Sequence, residues 1–438
     1  MKDRALRRFD GRRATTLYAI LMLALFPLFT GISGYVYLQL KKYLFFLAAT
    51  LLWVTVLCVD GCVRFTRTHS LPRLNLADGC VIAFAALACL STCLSDYGVF
   101  FTTEIGKYDS LLVYLLYACI LLGVSRHGLN LRRCLVLFAA AYSLCCAIAV
   151  VQLCGWNALW LFPDGMNYYS PFVRETGAFL GTMGNVDVFS GLHCLALPLI
   201  TAAFFALRDR RRFLLLIPAA LGIVTLALSG VASGILAVSV TAIVLIPFYA
   251  FGGREGERRG LLRFSGLALL LLGLAAAYLI PFRQGTAFEL HELLHGRAED
   301  SFGSHRILIW RGTVEVLRDH PLLGIGPDSL ADHLNITFER YSQPLGETIR
   351  TYVDNAHNAY LQALVSFGVL GCVPLSILAA ETVSGLRPGF RSDRAIRVLC
   401  PPLLCFAIQA LFNVGTCMLT PIFLILWAAL LHEERTTE

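Results

Sequence analysis

The sequence predicts an all-α fold, a polytopic transmembrane helix bundle of about 12 spans with a long extracytoplasmic loop that contains amphipathic helices. Composition is the first observation, because the 438 residues are 57% hydrophobic and only 15% charged. The second is that the apolar residues come in blocks of about 20, the length that crosses roughly 30 Å of hydrocarbon. These observations exclude a water-soluble enzyme.

The spans follow from the apolar blocks between charged or Gly/Pro-bearing breaks. They are predicted at 15–35, 43–63, 78–95, 110–125, 133–154, 185–207, 213–229, 231–251, 264–282, 357–380, 395–413 and 416–432. The seventh and eighth meet at Ser229-Gly230 and form either a tight hairpin or one interrupted pair. Residues 1–282 therefore hold transmembrane helices 1–9, residues 283–356 the extracytoplasmic loop, and residues 357–438 helices 10–12.

Lysine and arginine predict the orientation. Of the 36 basic residues, 25 fall in the termini and the loops of one side, while the short loops of the other side hold Lys41, Lys42, Lys107 and Arg174. By the positive-inside rule both termini are cytoplasmic. The net charge of +7 is spread over separate short loops, so the sequence indicates no nucleic-acid partner. None of the fifteen cysteines lies in the long loop, which argues against a disulfide framework.

Polar groups concentrate on the outer side, at 155–190 and 283–356. In the second segment, Ile307, Trp310, Val314 and Leu317 share one stripe of a predicted helix. Arg306 lies at one edge of this stripe, and Arg311 and Arg318 lie at the other. Such a helix suits a substrate with a lipid tail and a phosphate head. The alternative is an interfacial helix whose arginines contact lipid phosphates.

Two further outer segments adjoin predicted spans. His357 and Asn358 lie at the outer mouth of the tenth span, after a Gly/Pro turn at 319–327. Asp187 is singled out as the carboxylate beside an apolar block, near the start of the sixth span. It is either a functional intramembrane acid or a solvated acid favoured by the helix dipole.

Several motifs resemble the O-antigen ligase and O-antigen polymerase superfamily. They are Arg306 with Trp310 four residues later, then PLLGIGP, then HNAYLQALVSFGVLG. GAFLGTMGNVD at 177–187 is similar to the family's GTFGNPN element, and LSGVASG at 228–234 to its serine-and-small-residue segment. Val186 and Asp187 replace the usual Pro and second Asn, and Gly230-Val231 stands where an Arg is common.

The resemblance implies a metal-independent inverting glycosyl transfer at the outer face of the bacterial cytoplasmic membrane, without a cofactor. The donor would be a polyprenyl-diphosphate-linked glycan among the membrane lipids, and the acceptor a hydroxyl of a glycan or lipid. His357 suits the general base, because a neutral imidazole can take the hydroxyl proton. Arg306 would offset the diphosphate charge, with Arg174 or Arg311 as the second cation.

Two asparagines complete the candidate site. Asn185 and Asn358 would bind donor or acceptor hydroxyls. The alternative is that each caps a helix or makes a helix-helix hydrogen bond.

Two other functions remain open. His291-Glu292-Leu293-Leu294-His295 is a literal H-E-x-x-H, which predicts two zinc ligands and a general base of a membrane metalloprotease. Its third ligand is not obvious, although Glu299 is close. A twelve-span transporter would show two similar six-span halves, whereas the long loop here follows the ninth span.

Overall fold

A computed structural model describes residues 10–70, 72–98, 100–101, 108–162, 179–251, 264–334, 336–342, 347–392 and 394–437. Helix α1 (Gly11–Ile20) continues through a π-helical turn (Leu21–Leu25) into a short segment (Phe26–Leu28). The next helices are α2 (Leu38–Thr68), α3 (Leu76–Leu94), α4 (Leu111–His127), α5 (Leu131–Leu153) and α6 (Val186–Ala206). A 3-10 helix (Arg210–Leu215) leads into α7 (Leu216–Ser229), followed by α8 (Ala232–Phe251) and α9 (Ser265–Leu279).

The long loop and the C-terminal part follow. The loop contains α10 (Gly285–Leu294), α11 (Phe302–Asp319), α12 (Leu330–His333), β1 (Thr337–Ser342) and β2 (Glu347–Tyr352). The last helices are α13 (Ala359–Ser392), α14 (Arg394–Gln409) and α15 (Thr420–Thr437). Each predicted span overlaps one helix, and we call the end of the bundle at which the long loop lies the loop end.

The helices have the length and composition of a multi-pass membrane protein. Among the described residues, six are long and apolar enough to cross a bilayer, at 38–68, 76–94, 131–153, 186–206, 210–229 and 359–385. Three shorter apolar helices lie at 111–127, 232–247 and 265–279. Leucines such as Leu269 and Leu272 of α9 are exposed, as expected for a surface that faces lipid tails. The all-α polytopic class is confirmed, and the count of about 12 spans stays a prediction.

Helix α6 lies at the centre of the bundle, packed against α7, α8 and α14. Small residues allow its close contacts, because a Cβ built on Gly191 would clash with Leu419 and one built on Gly234 with Ser190. Between α7 and α8 the chain turns at Gly230, whose φ is +67°. The seventh and eighth predicted spans are therefore two separate helices.

An ionic cluster joins three helices at the end opposite the loop end. Asp78 of α3 is buried and accepts hydrogen bonds from Arg126 of α4 at 2.6 Å and from Arg435 of α15 at 2.8 Å. Asp78 also forms a capping box with Asn75, which Arg435 contacts as well. The cluster attaches the C-terminal helix to the first half of the bundle.

A β-hairpin in the long loop was not predicted. Strands β1 and β2 pair antiparallel, with Thr337 opposite Tyr352 and Ser342 opposite Glu347. The signal that could have revealed it is the alternation in TFERYS and ETIRTY, with Pro344 and Gly346 between them.

Helix α13 is broken at Gly368, and the PLLGIGP segment lies across the break. Gly368 has φ +63° and ψ −174°. Four backbone hydrogen bonds join the two segments, from the N–H groups of Ile325, Gly326, Val369 and Leu370 to the carbonyls of Val365, Ser366, Pro321 and Leu322, at 2.9, 2.9, 2.9 and 3.1 Å. The loop therefore satisfies backbone groups that the interrupted helix leaves unpaired.

Candidate active site

Arg306 is positioned by a left-handed turn at the start of α11. Gly303, Ser304 and His305 have φ values of 61°, 60° and 68°. The Nη1 of Arg306 donates to the Gly303 carbonyl at 2.7 Å, and its buried Nε has no hydrogen-bond partner among the described residues. Burial lowers the pKa of Arg306, and the negative charges of Asp187 and Glu289 oppose this effect. The guanidinium is therefore held partly out of water with donor capacity left over.

The start of α6 lies within electrostatic range of Arg306. Asn185 caps this helix, since its Oδ1 accepts from the N–H groups of Asp187 at 2.7 Å and Val188 at 3.3 Å. Asp187 is exposed in the first turn, which favours the interpretation as an N-terminal acid near the helix dipole. The start of α6 therefore lies close enough to the arginine helix for the charge of Asp187 to act on Arg306. Arg174, at the other side of this segment in the sequence, lies outside the described residues.

The packing face of α11 differs from the predicted stripe. Ile309 and Thr313 are buried, whereas Val314 is exposed. Thr313 can be buried because its Oγ1 donates to the Ile309 carbonyl at 2.8 Å. Ile309 and Thr313 therefore form a separate packing face, and the stripe of Ile307, Trp310, Val314 and Leu317 as a lipid-facing or substrate-facing surface stays a prediction.

His357 is linked to the arginine helix through the residue that precedes it. Trp310, one turn after Arg306, donates from Nε1 to the Ala356 carbonyl at 3.0 Å. The N–H of Ala356 donates to Oε1 of Gln362 at 2.9 Å, and that of His357 to Oδ1 of Asn355 at 3.0 Å. His357 is half-buried with a φ of +47°. Arg306, Trp310 and His357 therefore lie in one region of the loop end.

The other two candidate side chains already have contacts. Oδ1 of Asn358 accepts from the N–H groups of Tyr360 and Leu361, both at 3.0 Å, and so caps α13. Arg311 forms an exposed ion pair with Asp300 at 2.8 Å. For Asn185 and Asn358 the capping alternative is confirmed, which leaves their amide N–H groups as the donors that a ligand could use.

The H-E-x-x-H motif forms the end of α10. His291 is buried with Nδ1 2.9 Å from the Ala277 carbonyl, and His295 stacks on Tyr278. Two hydrogen bonds of 2.6 and 2.8 Å join Glu292 to Arg297 and hold the pKa of this carboxyl below its usual value. Within the described ranges no group of three His, Cys, Asp or Glu side chains could hold a metal ion. The motif here attaches the loop to α9.

Sequence reasoning missed two carboxyls at the loop end. Asp109, directly before α4, is buried and accepts hydrogen bonds from the hydroxyls of Tyr114 at 3.1 Å and Tyr117 at 3.3 Å. Burial, and then the nearby charge of Asp328, raise the pKa of Asp109 to about 7. Singling out Asp187 alone was therefore wrong, since Asp109 also adjoins an apolar block on the same predicted side.

A cavity of about 700 Å³ lies between α3, α4, α13, α14 and α15. Asp109, Tyr360 and Gln362 line its loop end, and Thr382 and Trp427 line it farther along. Its remaining walls are mostly aliphatic and aromatic. Gln362 connects the cavity to the His357 region through its bond to Ala356.

Residues 217–376, from α7 into α13, match the family model described as O-antigen ligase. The match supports the O-antigen ligase/polymerase superfamily. The matched segment contains Arg306, Arg311, His357 and Asn358, whereas Asn185 precedes it. The family indicates glycan transfer of the ligase or polymerase type in a membrane. No curated protein matches the chain.

Proposed function

We propose that this O-antigen ligase-like protein transfers a glycan from a polyprenyl-diphosphate carrier to an acceptor hydroxyl by inverting displacement. The acceptor oxygen bonds to the anomeric carbon while the bond from that carbon to the diphosphate oxygen breaks. His357 takes the hydroxyl proton, and the diphosphate leaves with the bonding electrons. The observation that carries the proposal is the hydrogen bond from Trp310 to Ala356, which joins the Arg306 helix to His357.

Arg306 suits the leaving group. A diphosphate gains negative charge as its bond to the sugar breaks, and a partly buried guanidinium opposes that charge more strongly than an exposed one. The buried Nε of Arg306 supplies a donor, and Asp187, in the first turn of the helix that Asn185 caps, acts electrostatically on the same guanidinium. That helix start adds a positive dipole end to the same region.

His357 suits the base because its backbone is fixed on both sides. The N–H of His357 is bound by Asn355 and the residue that follows it caps α13. A base on a fixed backbone is already positioned when the acceptor arrives. The proposal includes the orientation predicted from the basic residues, with both termini cytoplasmic and the site at the outer face. It requires neither a metal nor a cofactor.

The test compares purified variants in nanodiscs with a polyprenyl-diphosphate-linked glycan donor, with and without EDTA. Arg306→Lys is expected to be strongly impaired, because an ammonium cannot form the forked contact of guanidinium with phosphate oxygens. Arg318→Lys, exposed on the same helix, is the matched control and should retain activity. Glu292→Gln should transfer glycan at nearly the wild-type rate.

Two results would contradict the proposal. Arg306→Lys and Arg318→Lys of equal activity would remove Arg306 from the mechanism. Stoichiometric zinc, with activity lost to EDTA and to Glu292→Gln, would instead indicate the metalloprotease reading of H-E-x-x-H.

A further inference from the structure

We infer that the cavity between α3, α4, α13, α14 and α15 holds the tail of the acceptor, and that this acceptor is a lipid with an uncharged, hydroxyl-bearing head group beside Asp109. The inference rests on the proposed function, because it names the class of molecule that receives the glycan. It begins from a cavity and two carboxyls that the proposed mechanism does not use.

The cavity has the length of a lipid chain. Its lining along α13 extends from Ala359 to Val383. After the break at Gly368, the helical part from Val369 to Val383 alone spans roughly 20 Å at about 1.5 Å per residue, which is most of the roughly 30 Å hydrocarbon thickness of a bilayer. Aliphatic side chains such as Leu375 and Leu403 make up most of the walls. A long apolar cleft within a bundle suits an alkyl or isoprenoid chain better than a sugar.

The loop end of the cavity discriminates against an anion. Asp109 lines it, Asp328 lies within electrostatic range, and no Lys or Arg occurs among the described lining residues. Lys42, a fully buried lysine of α2, is not a lining residue and donates to the carbonyls of Phe26 and Pro27 at 2.9 and 3.2 Å. A phosphate there would face the like charge of Asp109, and none of the described lining residues supplies a counterion, whereas a neutral hydroxyl can donate to a carboxylate.

The cavity and the diphosphate site share one wall. Ala356 is bonded on one side to Trp310 of the arginine helix and on the other to Gln362, which lines the cavity. His357 follows immediately. A donor bound by Arg306 and an acceptor whose tail lies in the cavity would therefore meet at His357, the residue proposed as the base.

The test uses a diazirine-bearing farnesol analogue on the purified wild-type protein in nanodiscs. Illumination is expected to label peptides of α13 and α15 that line the cavity, and unlabelled farnesol should compete. Farnesyl phosphate has the same tail, but at about pH 8 it should compete only at a concentration at least about tenfold higher than that of farnesol. The reason is that its charge is repelled by the carboxylates at the cavity mouth. Asp109→Asn should narrow that difference.

A matched pair of variants tests the place of binding. Ala379 lines the cavity and the adjacent Ala380 does not, so Ala379→Trp should abolish labelling and Ala380→Trp should retain it. Both must elute as single symmetric peaks in size-exclusion chromatography. Equal labelling of the two variants, or farnesyl phosphate that competes as well as farnesol, would overturn the inference.

The glycan-transfer assay separates this inference from the proposed function, since labelling needs no turnover. A wild-type protein that binds farnesol selectively but transfers no glycan overturns the proposed function and leaves the ligand class of the cavity standing. A wild-type protein that transfers glycan, with Ala379→Trp equally active, overturns the acceptor assignment alone.

Discussion

At the scale of single residues, the candidate site includes strained backbone. Tyr108, His305, Asp328 and His357 have φ values of 58°, 68°, 58° and 47°. Each lies in, or next to, a group to which we assign a role. A left-handed residue other than glycine costs roughly 1–2 kcal/mol, and such strain persists where surrounding contacts over-determine the backbone. The backbone of these residues is therefore fixed before a substrate binds.

His357→Ala is expected to lower the transfer rate by about 10² to 10⁴, the usual contribution of a general base. The imidazole is half-buried at the start of α13, so the variant should insert and fold normally. His320→Ala, an exposed histidine of the same loop, is the control. Near-normal glycan output from His357→Ala protein of normal abundance would remove this residue from the mechanism.

Asp109 predicts a pH dependence of stability. Its pKa is about 7 in the folded protein and near 4 in an unfolded chain, so the folded state binds this proton more tightly. The resulting stabilisation is complete below about pH 4 and is lost as the pH rises through about 7. The melting temperature in detergent should therefore fall between about pH 5 and pH 7 and level off above that range.

Asp109→Asn should flatten that fall in melting temperature, because asparagine does not titrate. Asp96→Asn, an exposed aspartate of the same outer segment, should retain it. The same slope in wild type and Asp109→Asn would show that other groups cause the pH dependence.

At the scale of elements, the sequence was informative where local pattern decides the structure. Apolar length located each predicted span, and the Ncap preference of asparagine anticipated the caps of α6 and α13. Long-range contacts could not be predicted from the sequence, since no local sequence pattern indicates that Asp109 and Asp328 approach each other. Arg306 and His357 were singled out from local pattern, but their roles were indicated only by the family resemblance, and their proximity could not be derived.

The break in α13 gives a prediction for this element. A Cβ at Gly368 would clash with the backbone of Leu322 and Leu323, and its φ and ψ lie in a region that only glycine adopts readily. Gly368→Ala should cost about 1 to 3 kcal/mol from the backbone alone, and lower the melting temperature by several degrees.

The control is Gly273→Ala in α9, where a Cβ meets no atom within 4 Å. Alanine should be neutral or slightly stabilising there, because it favours the helix. A Gly368→Ala protein as stable as Gly273→Ala would contradict the close docking of the PLLGIGP segment.

At the scale of the whole molecule, the ionic cluster at Asp78 joins the first and last parts of the bundle. Asp78→Ala should destabilise the protein by on the order of 3 kcal/mol, because two arginines lose a buried partner. Asp209→Ala, at an exposed ion pair of 3.7 Å, should cost about 1 kcal/mol or less. Thermal unfolding of both variants in the same detergent measures the difference, and equal losses would contradict the role of the cluster.

Topology is a prediction for the same scale, motivated by the basic residues on one side. Single cysteines would replace Arg211 and Arg318, both exposed, in a cysteine-free background. An impermeant thiol reagent should label the cysteine at 318 in intact cells and the one at 211 only after the membrane is broken. The reverse result would move the proposed site to the cytoplasmic face.

The docking of the PLLGIGP segment also has a consequence for biosynthesis. Residues 321–326 leave the ribosome before residues 365–370, so the partners of the broken helix are already made when α13 emerges. A helix with an interrupted ladder enters the bilayer poorly on its own, because its unpaired groups remain hydrated. The tenth span is therefore expected to depend, for its insertion, on the PLLGIGP segment that is synthesised before it.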